Sequence, residues 1–205
     1  MKLIYKGHTF GYEIEKLCSV FFHYEKMETV ESREETGEEN LVETVLRPQA
    51  GSYFLEVFVR VNGKERTRHA LVPDVEGAME ECERKMAEML FWILCDICQI
   101  RPKWGLLTGV RPIKLFRRLK DEYGDGAQDY FEKKLLVSHE KAEISRKTEE
   151  AQTKILRLSK PESFSLYISI PFCPTRCSYC SFVSQSVERA AKLVPEYVDK
   201  LCREL

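Results

Sequence analysis

The hydrophobic positions in the first part of the chain follow two different spacings. Residues 2–5, KLIY, are a short strand candidate, and apolar side chains recur at about helical spacing over residues 12–21, which predicts a strand followed by a helix. Residues 53–61 are rich in β-branched and aromatic side chains, the Asn62-Gly63 pair follows them, and a second strand pattern returns through Val72. This dipeptide readily adopts the two positive φ angles of a type I′ turn. The pattern therefore predicts a β-hairpin.

A long amphipathic helix is predicted after the hairpin. Asp74 follows Pro73 and is the expected N-cap, and Pro102 is expected to end the helix. The apolar stripe at helical spacing consists of Val75, Met79, Cys82, Met86, Met89, Leu90, Ile93 and Ile97. Cys95 and Cys98 form a C-x-x-C on the same helix, a spacing that also occurs in redox and metal sites. Because free cysteine packs as a small hydrophobe, we interpret this pair as part of the core.

Charged residues dominate three other segments. Residues 25–43 are rich in glutamate and have few large apolar side chains, which predicts a solvated loop with a mobile middle. Residues 101–120 are basic, and their second half predicts a helix with Pro112 in its first turn. Residues 128–158 have a highly charged helical pattern that Pro161 closes.

The last part of the chain predicts a strand, a loop and a helix. Residues 164–170 form an apolar run typical of a buried strand, and residues 187–205 have the pattern of an amphipathic helix. The predicted fold class is α/β. It comprises an α+β amino-terminal domain over residues 1–125, with the hairpin and long helices, and a helical connector over residues 126–162. The first strand–loop–helix unit of a β/α barrel follows over residues 163–205.

Composition narrows the class of protein. The 205 residues are 43% hydrophobic and 32% charged with a net charge of −1, so the whole molecule has no general attraction for nucleic acid or anionic membranes. The sequence contains no run of roughly 18 apolar residues and opens without a signal-peptide pattern, which predicts a cytoplasmic location and no membrane partner. Because the cytosol keeps thiols reduced, clustering among the eight cysteines indicates metal binding rather than disulfides.

Three cysteines stand close together in the sequence PFCPTRCSYC. Cys173, Cys177 and Cys180 have the spacing C-x₃-C-x₂-C, which suits one face of an iron–sulfur cluster and leaves one iron without a protein ligand. A structural zinc site takes four ligands. The nearest further donors are His139, 34 residues before the first cysteine, and Cys202, 22 residues after the last. An open iron–sulfur cluster is therefore the leading interpretation, with zinc as the alternative.

The wider sequence around these cysteines resembles a known family. LYISIPFCPTRCSYCSF resembles the cluster loop of the radical S-adenosylmethionine superfamily, in the version carried by the oxygen-independent coproporphyrinogen III oxidase family. WGLLTGVRPIKL, residues 104–115, resembles the amino-terminal domain of the coproporphyrinogen dehydrogenases of that family. The resemblance covers much of the chain after residue 100 and is weaker before it.

This resemblance implies cofactors, site residues and an activity. It implies a [4Fe–4S] cluster held by Cys173, Cys177 and Cys180 in a partial β/α barrel, with S-adenosylmethionine on the fourth iron. Tyr167 would contact S-adenosylmethionine, and Tyr179 would lie beside its adenine. The implied reaction is oxidative decarboxylation of coproporphyrinogen III propionates to vinyl groups in haem biosynthesis, with a flavodoxin or ferredoxin-like reductant as partner. The cofactors supply the radical chemistry and the protein positions them.

Two positions depart from the pattern of the best-known oxidases. Ser169 stands where they have histidine, and Phe182 stands where they have a further cysteine. Phenylalanine at the second position is also found in a sister group to which haem handling or insertion is attributed. A haem chaperone-like relative is therefore a second hypothesis for function.

The basic segment gives a third hypothesis. Residues 101–120 contain no acidic residue, which predicts a local positive field. Arginine pairs well with the carboxylates of an anionic porphyrinogen and with the phosphates of RNA. A zinc-stabilised RNA-binding module is thus the third hypothesis, although nucleic acid is not the expected partner, and a solvated helix face is the alternative without a function.

The length of the sequence bears on the barrel. A β/α barrel of this class needs on the order of 200 residues after its first strand. Far fewer follow residue 164 here. We therefore expect this sequence to be a fragment that holds one strand–helix unit of the barrel and does not turn over by itself.

Overall fold

The computed structural model describes residues 1–35, 37, 39–109 and 111–205. Thr36 and Glu38 of the glutamate-rich segment and Val110 of the basic segment lie outside the described residues, and so do the predictions made for them. The chain divides into two compact units, which we call the amino-terminal unit, Met1–Leu158, and the carboxy-terminal unit, Ser159–Leu205.

A mixed five-stranded sheet forms the centre of the amino-terminal unit. Its strands are β1 (Lys2–Lys6), β2 (Glu28–Thr29), β3 (Leu41–Gln49), β4 (Ser52–Val61) and β5 (Lys64–Pro73), in the order β2-β1-β3-β4-β5. Strand β1 runs parallel to both β2 and β3, whereas β3, β4 and β5 pair antiparallel. The prediction of a first strand is confirmed, and so is the hairpin: Asn62 and Gly63 have φ angles of +51° and +74°.

Strand β3 is the element that the sequence pattern failed to predict. The glutamate-rich segment, residues 25–43, was predicted to be a solvated loop, yet it contains β2, a single 3₁₀ turn and the start of β3. Polar residues at the start of β3 are not solvated: the side chains of Glu43 and Thr44 are buried, with 3% and 0% of their surface exposed. The carboxylate of Glu43 lies 2.8 Å from Lys6 Nζ and also accepts a hydrogen bond from Arg33 Nε. A paired carboxylate can occupy a buried strand position that a hydropathy pattern assigns to solvent.

Two helices pack on one face of the sheet. Helix α1 (Gly11–Phe21) packs against α2 (Ala78–Cys98), and α2 packs against β4 and β5. The largest fully buried side chains of this core are Leu3, Ile14, Leu17, Leu55, Met86, Leu90, Phe91 and Ile93. The core therefore joins the sheet to the apolar stripe that predicted α2.

Helix α2 begins later and ends earlier than predicted. Strand β5 continues through Pro73, and the N–H of Asp74 donates to the carbonyl of Gly51, so the prediction of Asp74 as N-cap is wrong. Gly77, with a φ of +79°, precedes the helix, and Gln99, with a φ of +55°, follows it before Pro102 is reached. Val75, assigned to the buried stripe, therefore precedes the helix and is exposed, and Met79, in the first turn of the helix, is exposed as well.

The prediction that the C-x-x-C of α2 packs in the core is confirmed for Cys95. Cys95 packs against the main hydrophobic cluster, and burial raises the pKa of its thiol to about 11. Cys98 is half-buried, and burial also raises its pKa. Both shifts disfavour the thiolate, which is the form that reacts and binds metals.

Three further helices complete the amino-terminal unit. They are α3 (Pro112–Tyr123), α4 (Ala127–Lys133) and α5 (His139–Leu156), and their shared apolar cluster consists of Phe116, Leu119, Ala127, Phe131, Val137 and Ala142. The helix start at Pro112 is confirmed. The charged helical pattern over residues 128–158 is divided into α4 and α5 because Leu136 has a φ of +57° and Ser138 caps α5.

The carboxy-terminal unit contains little regular sheet. Residues 164–170 form no strand, and most of their large apolar side chains are exposed, so the prediction of a buried strand is wrong. Two-residue strands β6 (Phe172–Cys173) and β7 (Gln185–Ser186) pair in parallel instead. A strand is stable only when neighbouring strands satisfy its backbone groups, and no strand of the described chain pairs with residues 164–170. The partial barrel is not confirmed.

The predicted final helix is present in three pieces. Helix α6 (Val187–Ala190), a 3₁₀ turn (Ala191–Leu193) and helix α7 (Val194–Glu204) follow one another. Proline in the first turn of α7 explains the break, because proline is tolerated there and not in a helix interior. No helix among the described residues is both long enough and apolar enough to cross a membrane.

Replacing Glu43 by glutamine is expected to lower the free energy of unfolding by about 1–2 kcal/mol, because the change removes a buried charge that Lys6 and Arg33 contact. Burial alone would raise the pKa of Glu43, but its contacts with Lys6 and Arg33 outweigh this and hold the pKa below its ordinary value. The ionised Glu43 carboxylate therefore stabilises the fold fully above the pKa of an unfolded glutamate, about 4.3. This stabilisation is lost as the pH falls through the lower pKa of Glu43 in the folded protein. Urea denaturation at neutral and at acidic pH measures both effects.

The matched control is Glu76→Gln, which makes the same change at an exposed position. It should alter the free energy of unfolding by no more than about 0.5 kcal/mol. Equal losses in the two variants, or a Glu43→Gln loss that does not shrink in acid, would contradict the role given to Glu43.

Candidate metal centre

The three clustered cysteines lie in one loop of the carboxy-terminal unit. Cys173 is the second residue of β6, and Cys177 and Cys180 follow in the loop that leads to β7. The N–H of Cys180 donates to the carbonyl of Cys177 over 3.1 Å, which makes a tight turn between them. All three thiols are free, with Cys177 exposed and the other two half-buried. They are therefore accessible to a metal or a thiol reagent.

The sulfur atoms do not form an assembled ligand set. Among the described residues, no group of three or more His, Cys, Asp and Glu side chains could hold a metal ion. The donor chemistry suits an iron–sulfur cluster, because thiolate is the ligand that such irons prefer. The geometry does not yet suit it, so the loop would have to rearrange around the cluster. Such coupling of metal binding to local folding is usual for metal sites.

A cavity of about 470 Å³ lies beside Cys173. Its lining includes Arg176 from the cysteine loop, Arg189 from α6, and the hydroxyl-bearing residues Thr175, Ser184 and Ser186. Two guanidinium groups and three hydroxyl-bearing side chains next to a cysteine favour a negatively charged occupant, because arginine forms charge-assisted hydrogen bonds with carboxylates and phosphates.

These two arginines were not identified from the sequence. Arg176 could have been found, because it stands directly before Cys177 inside the motif. Arg189 gives no comparable signal, because it reaches the cavity only through the folding of α6 against the loop.

The two tyrosines assigned to S-adenosylmethionine are exposed. Tyr167 is 77% exposed and Tyr179 is 87% exposed, and neither lines the cavity beside Cys173. The structure therefore does not bring them together with Cys173, and their roles stay predictions.

Tyr197 of α7 anchors the chain that leads into the loop. Its hydroxyl donates to the carbonyl of Ser169, and its ring makes an edge-to-face contact with Phe172 at a centroid distance of 5.3 Å. The main chain at Ser169, rather than its side chain, makes this contact. Phe182, the second position that departs from the oxidase pattern, is exposed.

Comparison with known proteins gives a distant relationship. No protein-family model matches the chain. Over 143 residues the chain is 27% identical to the oxygen-independent coproporphyrinogen-III oxidase-like protein HemZ of Bacillus subtilis strain 168. The similar region covers 66% of this chain and 28% of HemZ, so the chain matches well under half of that relative's length.

Alkylation of the reduced protein is expected to separate the cysteines by exposure. Cys177 should react fastest, with Cys173 and Cys180 following, whereas Cys18 and Cys82 should react only after unfolding because they are buried. Burial also raises the pKa of Cys18 to about 12, which suppresses its thiolate at neutral pH. A time course with iodoacetamide, read by peptide mass spectrometry, measures the order.

The same alkylation time course contains an internal control, because Cys202 is exposed but lies outside the motif. It should react at a rate similar to that of Cys177. Native-state labelling of Cys18 as fast as that of Cys202 would contradict the burial assigned to the amino-terminal core.

Proposed function

We propose that this chain carries the cluster-binding loop of a radical S-adenosylmethionine oxidoreductase that acts on coproporphyrinogen III. The observation that supports this most is the loop itself: three free, accessible thiols at C-x₃-C-x₂-C spacing, next to a cavity lined by two arginines. The similarity to HemZ, an oxygen-independent coproporphyrinogen-III oxidase-like protein, supports the substrate class.

In this proposal each cysteine has the same task. Cys173, Cys177 and Cys180 hold three irons of a [4Fe–4S] cluster as thiolates and leave the fourth iron open. When bound, the cluster and S-adenosylmethionine supply the one-electron chemistry that oxidises a propionate side chain. The turn between Cys177 and Cys180 already sets two of the ligands close along the chain.

The arginines beside Cys173 would bind negatively charged groups. A cluster with three thiolate ligands is an anionic group, and S-adenosylmethionine brings a carboxylate to it. Arg176 and Arg189 would hold negative charge in the cavity through charge-assisted hydrogen bonds. Tyr167 and Tyr179 would take their proposed places only once the loop closes, because both are now exposed.

A second function is favoured by one position. Phe182 replaces the further cysteine of the best-known oxidases and is exposed on the surface. This residue fits a haem-handling relative of the same superfamily, which would keep the cluster loop and bind haem without decarboxylating a porphyrin.

Anaerobic reconstitution with iron and sulfide tests the cluster directly. The chain should bind about four irons and four sulfides and gain the brown absorbance of an iron–sulfur protein. Substituting serine for Cys173, Cys177 or Cys180 should abolish most of this uptake. The matched controls Cys202→Ser, at an exposed position, and Cys98→Ser, on α2, should keep it.

Three outcomes would count against the proposal. They are zinc in place of iron, iron uptake that the control substitutions remove equally, and an electron paramagnetic resonance signal of the reduced cluster that S-adenosylmethionine leaves unchanged. Stoichiometric binding of haem by a cluster-loaded chain, markedly tighter than its binding of coproporphyrinogen, would select the haem-handling function.

A further inference from the structure

The basic residues of segment 101–120 fall into two groups according to their contacts. Four have partners inside the amino-terminal unit. Arg101 lies over the Trp92 ring at 5.2 Å, Lys103 pairs with Glu140 at 2.8 Å, and Lys120 and Arg117 lie 2.8 and 3.6 Å from Glu149. These four cations contribute to packing and ion pairs and are not free for a ligand.

The other three cations have no such partner. Within the part of the chain that the structure describes, no side-chain hydrogen bond or ion pair involves Arg111, Lys114 or Arg118. All three side chains are exposed. Arg111 is the N-cap of α3 and the others follow three and seven residues later, a spacing that places them on one face of the helix. We call this surface the α3 cationic face.

A cavity of about 320 Å³ lies on this face. Its lining consists of Arg111, Lys114, Leu115 and Arg118. The arrangement puts cations around one apolar side chain, with the outermost two separated by roughly 10 Å along the helix axis at 1.5 Å per residue. The volume lies at the lower end of the range for small-molecule sites.

Packing does not explain why these positions are basic. Helix α3 packs mainly through the buried side chains of Phe116 and Leu119, and Leu115, which borders the cationic face, packs only partly against the same cluster. Lys114 and Arg118 are like charges four residues apart, a pairing that destabilises a helix. A solvated helix usually relieves this repulsion with interspersed acidic residues, whereas α3 has its acidic residues, Asp121 and Glu122, only in its last turn, and no described ion pair joins either of them to Lys114 or Arg118. The cluster is therefore better explained by an anionic ligand.

The lining favours a small carboxylated molecule over a nucleic acid strand. Proteins that bind single strands combine basic residues with aromatic side chains on which bases stack. Among the described residues, the lining of this cavity contains Leu115 and no aromatic ring. Cations on both sides of an apolar contact match a molecule with an apolar body and carboxylates at its edge.

We propose that the α3 cationic face binds a small organic polycarboxylate, with Arg111, Lys114 and Arg118 contacting carboxylates and Leu115 contacting the apolar body. The identity of this ligand as a porphyrinogen rests on the proposed function. The amino-terminal unit then holds a binding site for the substrate class that is distinct in residues from the cysteine loop.

Fluorescence titration of the metal-free chain with coproporphyrin III tests this proposal. This air-stable porphyrin carries a propionate on each pyrrole ring. Binding should be saturable and should weaken as salt is added, because exposed charges are screened. Lys114→Gln/Arg118→Gln should weaken binding about tenfold or more, since it removes two charge-assisted contacts. Arg118→Lys, which keeps the positive charge, should lose much less affinity than this double variant.

The matched control is Lys64→Gln/Lys154→Gln, which removes two exposed cations outside the segment and should change the affinity by no more than roughly twofold. Equal weakening in both double variants, or no saturable binding by the folded chain, would overturn the proposal. So would displacement of the porphyrin by an oligouridylate that binds more tightly, because it would assign the face to RNA.

Failure of the cluster hypothesis remains separable from this test. The titration uses protein without metal, and a chain with Cys173, Cys177 and Cys180 all replaced by alanine should bind coproporphyrin III as well as the unmodified chain. Loss of porphyrin binding in that variant would overturn the α3 site, whereas loss of iron uptake alone would overturn only the proposed cluster.

Discussion

Burial of the Glu43 carboxylate is the constraint on which the amino-terminal unit depends. Strand β3 lies between β1, which it meets in parallel, and β4, which it meets antiparallel, so every strand of the sheet is connected through it. Glu43 lies on this strand directly opposite Phe58, and Arg33 both contacts the carboxylate and lies over the Phe58 ring at 4.0 Å. The glutamate-rich segment before β3 is thereby connected to the sheet by charge and by an aromatic contact, although its composition alone cannot order it.

The two units differ in how they are stabilised. The amino-terminal unit has a continuous apolar core and a second cluster among its last three helices. In the described carboxy-terminal unit, Ala190 is the one buried hydrophobic residue, and Phe164, Ile170, Val183 and Leu193 are exposed. Apolar burial is the main favourable contribution to folding. The loop that carries the cysteines therefore has much less structural support than the sheet.

Local sequence signals predicted the elements that local forces determine. The Asn62-Gly63 turn, the helix start at Pro112 and the apolar stripe of α2 from Cys82 onward depend on residues close in the chain, and the structure confirms them. Strand β3 could not be predicted in this way, because its buried Glu43 depends on Lys6, which lies far away in sequence. The start of α2 was misplaced for a related reason: β5 extends to Pro73 because it pairs with β4.

In the candidate site, too, local features were predictable from the sequence and features that depend on folding were not. The cysteine motif was visible in the sequence because its spacing is local, whereas Arg189 joins Cys173 only through folding. The segment 164–170 was mispredicted because its apolar pattern describes the strand that it would form beside partner strands, and no partner strand for it lies within the described chain. Likewise, the sequence showed a uniform basic segment, and only the contacts of Glu140 and Glu149 separate neutralised cations from free ones.

Strand β5 has a further consequence for the behaviour of the protein in concentrated solution. It is one of the two edge strands of the sheet, and Lys64, Arg66 and Arg68 are exposed along it, with Arg66 paired to Asp96. An open strand can act as a template on which another molecule adds its own strand and begins an aggregate. Two copies that approach through this strand bring like charges together, so electrostatic repulsion protects the sheet from growing into a fibre.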